Sequence, residues 1–319
     1  MPGYAPTPLV ELPLLAEGLG IGRVWVKDES HRFGLPAFKV LGASWAVSRA
    51  IGTRTFPELT ERVAGSNLTL VTATDGNHGR ALAHMARLLG LRCRVYVPAG
   101  LPDSTVQAIR DEGASVLGTG RDYDETVRIA AASPRDGELL IQDTAWPGYE
   151  EVLRSIVAGY TTLFSELDEQ HPGEPDLVVV PTGVGSLLQS AIHHYRSPAR
   201  TRRTTILAVE PVTAACVTAS LQTGRPTTVD ASIPTTMAGL NCGTISSAAW
   251  PAIHHGLDAA IGVTDAEASE ALHVLHGQGI LAGPCGAAAL AGLQAADLQL
   301  PASTSAVLIS TEGITANSP

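Results

Sequence analysis

The stretch DLVVVPTGVGSLLQSAIHHY, residues 176–195, decides how this chain is read. DLVVVP (176–181) is a continuous apolar run, the pattern of a strand covered on both faces. A glycine turn follows, and SLLQSAIHHY (186–195) reads as a helix. Strand, glycine turn, helix is the repeating unit of a parallel sheet. The unit recurs in both directions. Strands are expected at 22–28, 68–74, 92–98, 114–120, 139–143, 204–210 and 305–310. Helices are expected at 38–51, 79–90, 105–113, 123–133, 150–170, 211–224, 264–278 and 286–296. The expected fold is therefore α/β: two open parallel-sheet domains with flanking helices. Residues 68–143 hold four strands, enough for a small sheet of their own. The strands from 176 to 310, with 22–28, supply a second, and the cleft between the two sheets is the natural ligand site.

Composition narrows the function. The chain has 319 residues, 45% of them hydrophobic and only 16% charged, the profile of a well-buried globular protein. A net charge of −10 argues against a nucleic-acid surface. No stretch is apolar enough to span a bilayer, and residues 1–20 hold no basic segment leading into an apolar core. A cytoplasmic protein is the expectation. Cys93, Cys216, Cys242 and Cys285 are far apart and form no CxxC pair. The histidine pairs 193–194, 254–255 and 273/276 have no carboxylate at ligand spacing, so no metal site is expected.

Ligands of parallel sheets sit beyond the carboxyl ends of the strands. Three turns stand there. TATDGNHGR (72–80) offers backbone N–H groups at a helix start, together with Asp75, Asn77 and His78. PTGVGSLLQS (181–190) offers Gly183, Val184, Gly185 and Ser186 as an anion cradle. A dinucleotide site is the rival reading of this second turn, with Glu210 near the ribose position, although Leu188 replaces the third glycine. In the third turn, ISTEGITANSP (309–319), Ser310 and Thr311 follow a strand.

One further residue is out of character. The chain has two lysines, Lys27 and Lys39, against nineteen arginines. Lys39 stands between Phe38 and Val40, and its helical face carries Gly42, Ala43 and Ala46. A desolvated lysine has a lowered pKa and can form a Schiff base, which arginine cannot. The bland alternative is a lysine snorkelling to water. An amine, a phosphate cradle and a hydroxyl suited to a pyridine nitrogen are together what pyridoxal 5'-phosphate requires.

The segments KDESHRFGLPAFKVLGAS (27–44), TDGNHGR (74–80), QDTAWPGYEEV (142–152), GYTT (159–162), PTGVGS (181–186), AVEP (208–211), MAGLNCG (237–243) and STEG (310–313) run in one order along the whole chain. They resemble the fold-type II pyridoxal-phosphate enzymes, the tryptophan synthase β and threonine dehydratase group, and within it the diaminopropionate ammonia-lyases. The resemblance implies that Lys39 carries the cofactor as an aldimine and then removes Cα–H from an L-substrate, with Asp75 as the base for the D-enantiomer. It places Phe38 against the ring, Asn77 on the phenolic oxygen, the N–H groups of Gly183–Ser186 on the phosphate and Thr311 at the pyridine nitrogen. The turn Thr74, Asp75, Gly76, Asn77 and His78 would hold the substrate carboxylate. The implied reaction is α,β-elimination of ammonia from 2,3-diaminopropionate, giving pyruvate and a second ammonia. A homodimer is implied, with residues 1–59 and 147–319 as the large domain and 60–146 as the small one.

Alternatives remain on the residues themselves: a serine/threonine dehydratase-like or β-replacing enzyme, a nucleotide-binding oxidoreductase, or a non-catalytic pyridoxal-phosphate protein. The chain departs from the family pattern at Pro36, where asparagine is usual, at Gly283-Pro284-Cys285, where an acidic residue and serine are usual, and at Ile314 and Ala316, where an acidic pair is usual. Leu187, Leu188 and Gln189 replace small residues after the phosphate turn. The family's longer N-terminal extension is also expected to be absent. These departures mark the pocket rim and bear on the choice of substrate.

Overall fold

The computed structural model describes residues 1–316; the last three residues of the stretch 309–319 lie outside it. Two sheets form. The larger contains β1 (Leu9–Glu11), β2 (Arg23–Asp28), β7 (Leu177–Pro181), β8 (Thr205–Pro211), β9 (Ala259–Val263) and β10 (Ser305–Ser310), in the order β1-β2-β10-β7-β8-β9. All its pairings are parallel except β1 on β2, where Leu9 faces Lys27. The smaller sheet is wholly parallel, in the order β5-β4-β3-β6, from β3 (Thr69–Ala73), β4 (Arg92–Val97), β5 (Ser115–Gly118) and β6 (Glu138–Leu140). β3, β7 and most of β8 and β10 are buried along their length, as their unbroken apolar runs require.

The connecting helices are α1 (Pro13–Leu19), α2 (Val40–Ile51), α3 (Phe56–Val63), α4 (Asn77–Leu89), α5 (Asp103–Asp111), α6 (Tyr123–Ala132), α7 (Glu151–Gln170), α8 (Ser186–Tyr195), α9 (Cys216–Thr223), α10 (Trp250–Gly256), α11 (Asp265–Gly277) and α12 (Pro284–Ala295). β1, β9, α1, α3 and α10 are additions to the expected elements. The expected strand 139–143 is shorter: after Leu140 the chain leaves the sheet, carrying Asp143 into the cleft. The expected helix 38–51 begins at Val40, with Lys39 as its N-cap residue.

The small face of α2 meets another helix. A Cβ on Gly42 would lie 2.5 Å from the Tyr160 ring, and one on Gly159 would lie 2.4 Å from the Leu41 carbonyl oxygen. α2 and α7 therefore cross at a distance that only glycine permits, and α2 also packs on α4 of the smaller sheet. The helix that begins at Lys39 is thereby fixed to both halves of the cleft.

Lys27 is structural. It is fully buried, and its Nζ donates to Thr7 O, Glu166 Oε2 and Gln170 Oε1 at 2.7–2.8 Å. Arg32 donates to Glu166 and Glu29 from the same cluster, which ties the N-terminal segment and β2 to α7. Burial works against the Glu166 charge, but Arg32 and Lys27 hold its pKa down at about 2. Glu166→Ala would strand two buried cations and is expected to cost about 3–5 kcal/mol in a denaturant titration at pH 7. Because the folded pKa is depressed, this stabilisation is present above the ordinary glutamate pKa and is lost as pH falls towards about 2. The variant should accordingly show a flatter stability profile in that acid range.

Candidate active site

The cleft between the sheets is lined by Phe38, Lys39, Asp75, Asn77, the turn 181–188, Cys242, Cys285, Thr311 and Glu312, among others. Each sheet presents the carboxyl ends of its strands. Thr74 and Asp75 follow β3, Thr182 and Gly183 follow β7, and Thr311 follows β10. Strand-end geometry thus brings Asp75, Asn77, the turn 181–186 and Thr311 together, while Phe38 and Lys39 join them from the start of α2.

Lys39 is 21% exposed, and its Nζ donates to Asp143 Oδ2 at 2.8 Å. Burial by itself would lower the lysine, as the sequence suggested. The structure corrects that expectation: Asp143, with Tyr160 and Asp75 behind it, raises the pKa above the ordinary lysine value. Burial also opposes the Asp143 charge, but His78 and Lys39 hold this carboxyl at about 2. Asp143 is the residue that sequence reasoning passed over. It closed an expected strand, in a segment quoted only for family likeness, and the strand-end rule would have found it.

Asp75 follows β3 of the smaller sheet and lines the same cleft. Its burial, with Asp143 and Glu312 nearby, outweighs the pull of Lys39 and raises its pKa to about 6. A carboxylate there is a competent base near neutral pH. Phe38 lies against Tyr160, ring centroids 4.7 Å apart, with Lys39 Nζ 5.6 Å from the Phe38 centroid.

The turn 74–78 divides its labour. Thr74 Oγ1 accepts from the N–H groups of Gly76 and Gly79 at 2.9 and 3.0 Å and shapes the entry to α4. Thr74, Gly76 and His78 are buried, and only Asp75 and Asn77 of this turn line the cleft. The His78 side chain faces inward, with Nε2 donating to Ile141 O at 2.8 Å and Nδ1 3.9 Å from Asp143 Oδ2. Nδ1 has no hydrogen-bond partner among the described residues, and the ring does not line the cleft, so any part His78 has in holding substrate comes through its backbone.

The structure passes a test of fit for a phosphorylated pyridine. Gly185 has φ +96° at the N-cap of α8, and a Cβ on Gly183 would sit 3.0 Å from Cys242 Sγ and 3.1 Å from Gly239 O. The turn is therefore an open cradle at a helix N-terminus, where the first N–H groups have no intrahelical acceptor. The Ser186 hydroxyl donates to Asp143 O at 3.1 Å, which leaves the backbone N–H groups as the phosphate donors. At the end of the neighbouring strand β10, Thr311 Oγ1 is buried with no hydrogen-bond partner among the described residues, a hydroxyl free for a ring nitrogen.

Glu210 removes the dinucleotide reading. It is fully buried and accepts from Val217 N, Thr218 N and Thr218 Oγ1 at 2.7–3.0 Å, so it caps α9 and has no reach to a ribose. Among the described residues no cluster of three metal-ligating side chains occurs, and no helix is long and apolar enough to cross a membrane.

The departures from the family pattern, scattered in sequence, meet in space. Gly313 N donates to Pro36 O at 2.8 Å, Gly283 N to Glu312 O at 2.9 Å and Ile314 N to Leu281 O at 3.0 Å. Three chain segments, at 36–38, 281–285 and 311–316, are stitched into one patch on the rim of the cleft.

Two open, mostly parallel sheets with a lysine and a glycine turn lining the cleft between them are the architecture of a pyridoxal-phosphate enzyme of fold-type II. Comparison with known proteins agrees. The model of the family described as pyridoxal-phosphate dependent enzyme matches residues 1–312, and the chain belongs to that family. Its cofactor is pyridoxal phosphate. A diaminopropionate ammonia-lyase of Salmonella typhimurium is 35% identical, aligned over 99% of this chain and 87% of its own. The crystal structure of holo diaminopropionate ammonia-lyase from Escherichia coli matches with a TM-score of 0.90 at 33% identity, covering 99% of this chain and 86% of the other. A second structure of that enzyme, in complex with an aminoacrylate-PLP azomethine reaction intermediate, matches with a TM-score of 0.87 at 32% identity and the same coverage.

Proposed function

We propose that this chain is an ammonia-lyase that eliminates the β-amino group of 2,3-diaminopropionate, in the D or L form, as ammonia, the enamine product then taking up water to give pyruvate and a second ammonia. The observation that carries the reading is the convergence of two acid–base groups, Lys39 and Asp75, on one cleft whose far wall is a phosphate cradle. Bound pyridoxal phosphate supplies the electron sink for loss of a proton at Cα and departure of the amine. Lys39 tethers the cofactor and takes the Cα proton of the L-substrate, while Asp75 takes that of the D-substrate. Asp143 holds the Lys39 amine in the cleft. Phe38 packs on the ring and Asn77 bonds its phenolic oxygen. The N–H groups of Gly183, Val184, Gly185 and Ser186 bind the phosphate, and Thr311 meets the pyridine nitrogen. The backbone of the turn Thr74–His78 receives the substrate carboxylate. Residues 1–59 and 147–319 act as the large domain and 60–146 as the small one, in a cytoplasmic homodimer.

Pyruvate release from D- and L-diaminopropionate, serine and threonine tests the reading. Release from both diaminopropionate enantiomers is expected. Turnover of serine or threonine with none of diaminopropionate would replace it with the dehydratase alternative. Sedimentation at twice the 33.1 kDa chain mass checks the dimer.

A further inference from the structure

Glu312 lines the cleft yet holds none of the roles above. It is 2% exposed, directly after Thr311. Its Oε2 accepts from Asn77 Nδ2 at 2.6 Å, and its Oε1 accepts from the Cys285 backbone N–H at 3.3 Å. The side chain reaches both partners through a gap that residue 283 leaves open by being glycine. A Cβ there would lie 3.1 Å from Oε1 and 3.2 Å from Cγ. The Glu312 backbone is also pinned, accepting from Gly283 N at 2.9 Å and bridging to Ala37. A carboxylate held at both ends and in its backbone cannot follow Asn77; Asn77 has to follow it.

The two ends of a carboxamide differ chemically, and this gives the contact a consequence. An ionised carboxylate only accepts, so only the Nδ2 end of Asn77 can face Glu312. The second N–H and Oδ1 are left for the cleft, which Asn77 lines. A protonated Glu312 can donate. The carboxamide is then free to turn over, exchanging the donor and acceptor that it offers to a ligand.

We propose that Glu312 is a positioning residue, which by gripping the Nδ2 end of Asn77 sets whether donor or acceptor meets the phenolic oxygen of pyridoxal phosphate. The proposal rests on the role given to Asn77 above. The groups that face Glu312 include Lys39 at the start of α2, Asp75 and Asn77 at the start of α4, and Cys285 in the first turn of α12. Burial raises the Glu312 pKa above its ordinary value, against the pull of Cys285, Asn77 and Lys39. The switch in Asn77 therefore belongs at a higher pH than a solvated glutamate would give.

The test uses the holoenzyme and reads the ratio of the visible to the near-ultraviolet absorption band of bound pyridoxal phosphate against pH. Wild type, Glu312→Gln, Asn77→Ala and the double variant are compared, with borohydride-fixed cofactor per chain counted in each. Glu312→Gln is expected to keep the fixed cofactor, to lower the ratio about fivefold and to lose the acidic step of the wild-type titration. In the Asn77→Ala background Glu312→Gln should add nothing. An unchanged ratio and step in Glu312→Gln would overturn the proposal, as would an effect of equal size in both backgrounds. Should Glu312→Gln not fold, Asn77→Ala decides alone: its acidic step must vanish, and a surviving step belongs to Asp75 and overturns the coupling. A wild type that fixes no pyridoxal phosphate would sink the reading of the site itself, a result distinct from these.

Discussion

A Lys39→Ala protein is expected to hold no pyridoxal phosphate that borohydride can fix and to release pyruvate about 10³-fold more slowly than the parent, or worse. The loss should be this deep because one side chain both tethers the cofactor and serves as a base, and because the chain has no substitute amine. Its other lysine, Lys27, is fully buried and spends its three protons on Thr7 O, Glu166 and Gln170. Lys39→Arg should be equally inactive. It restores the charge opposite Asp143 but offers no amine that can deprotonate. Both variants should fold, since the Lys39 side chain is partly exposed in the cleft rather than packed in the core. Borohydride reduction followed by peptide mapping checks the assignment. A fixed cofactor in Lys39→Ala would move the tether to another amine and end the argument for this site.

Asp75→Asn is expected to separate the two enantiomers. Elimination from D-diaminopropionate should fall about 10²–10⁴-fold, the range for loss of a positioned base. The L-reaction should stay within about tenfold, because Lys39 and Asp143 are untouched. Equal loss on both would refute two bases. The pH dependence follows from the Asp75 pKa of about 6: the base is the ionised form, so the D-reaction should rise through that pH and then level off. The same shift has a cost in stability. A carboxyl whose folded pKa is raised binds its proton more tightly in the folded state. Its contribution is therefore fully present below about pH 4 and is lost as pH climbs through about 6. At pH 7 the ionised Asp75 opposes folding by about 3 kcal/mol, and Asp75→Asn should unfold at higher denaturant than the parent.

What was legible in the sequence was whatever a strand end or a local pattern carries. The apolar runs of β3, β7, β8 and β10 announced buried parallel strands, and the turns after three of them held cleft residues. β9 was not legible, because Ala259–Val263 is short, with two alanines and a glycine that carry no strand preference, and becomes a strand by pairing with β8. α3 could have been read: Thr55 and Glu58 form a capping box at its start. The site's electrostatics were out of reach for another reason. Lys39 and Asp143 are 104 positions apart, and nothing local says that a lysine will find a carboxylate rather than an apolar pocket. The inward turn of His78 likewise depends on Ile141 O, a carbonyl 63 residues away.

The rim patch that joins Pro36, Pro284, Cys285, Ile314 and Ala316 has a consequence for how this enzyme could change its diet. Because Pro36, Leu281, Gly283, Glu312, Gly313 and Ile314 hydrogen-bond to one another through their main chains, a backbone shift in one of the three segments is carried to the other two. They behave as one cassette assembled from three distant segments of the chain, which through Phe38 and Thr311 reaches into the cleft itself. A lineage drifting towards a new amino acid would have to trade all three pieces in concert. Chimeras that transplant a single segment from a relative should lose catalysis, and the full set should carry its donor's appetite with it.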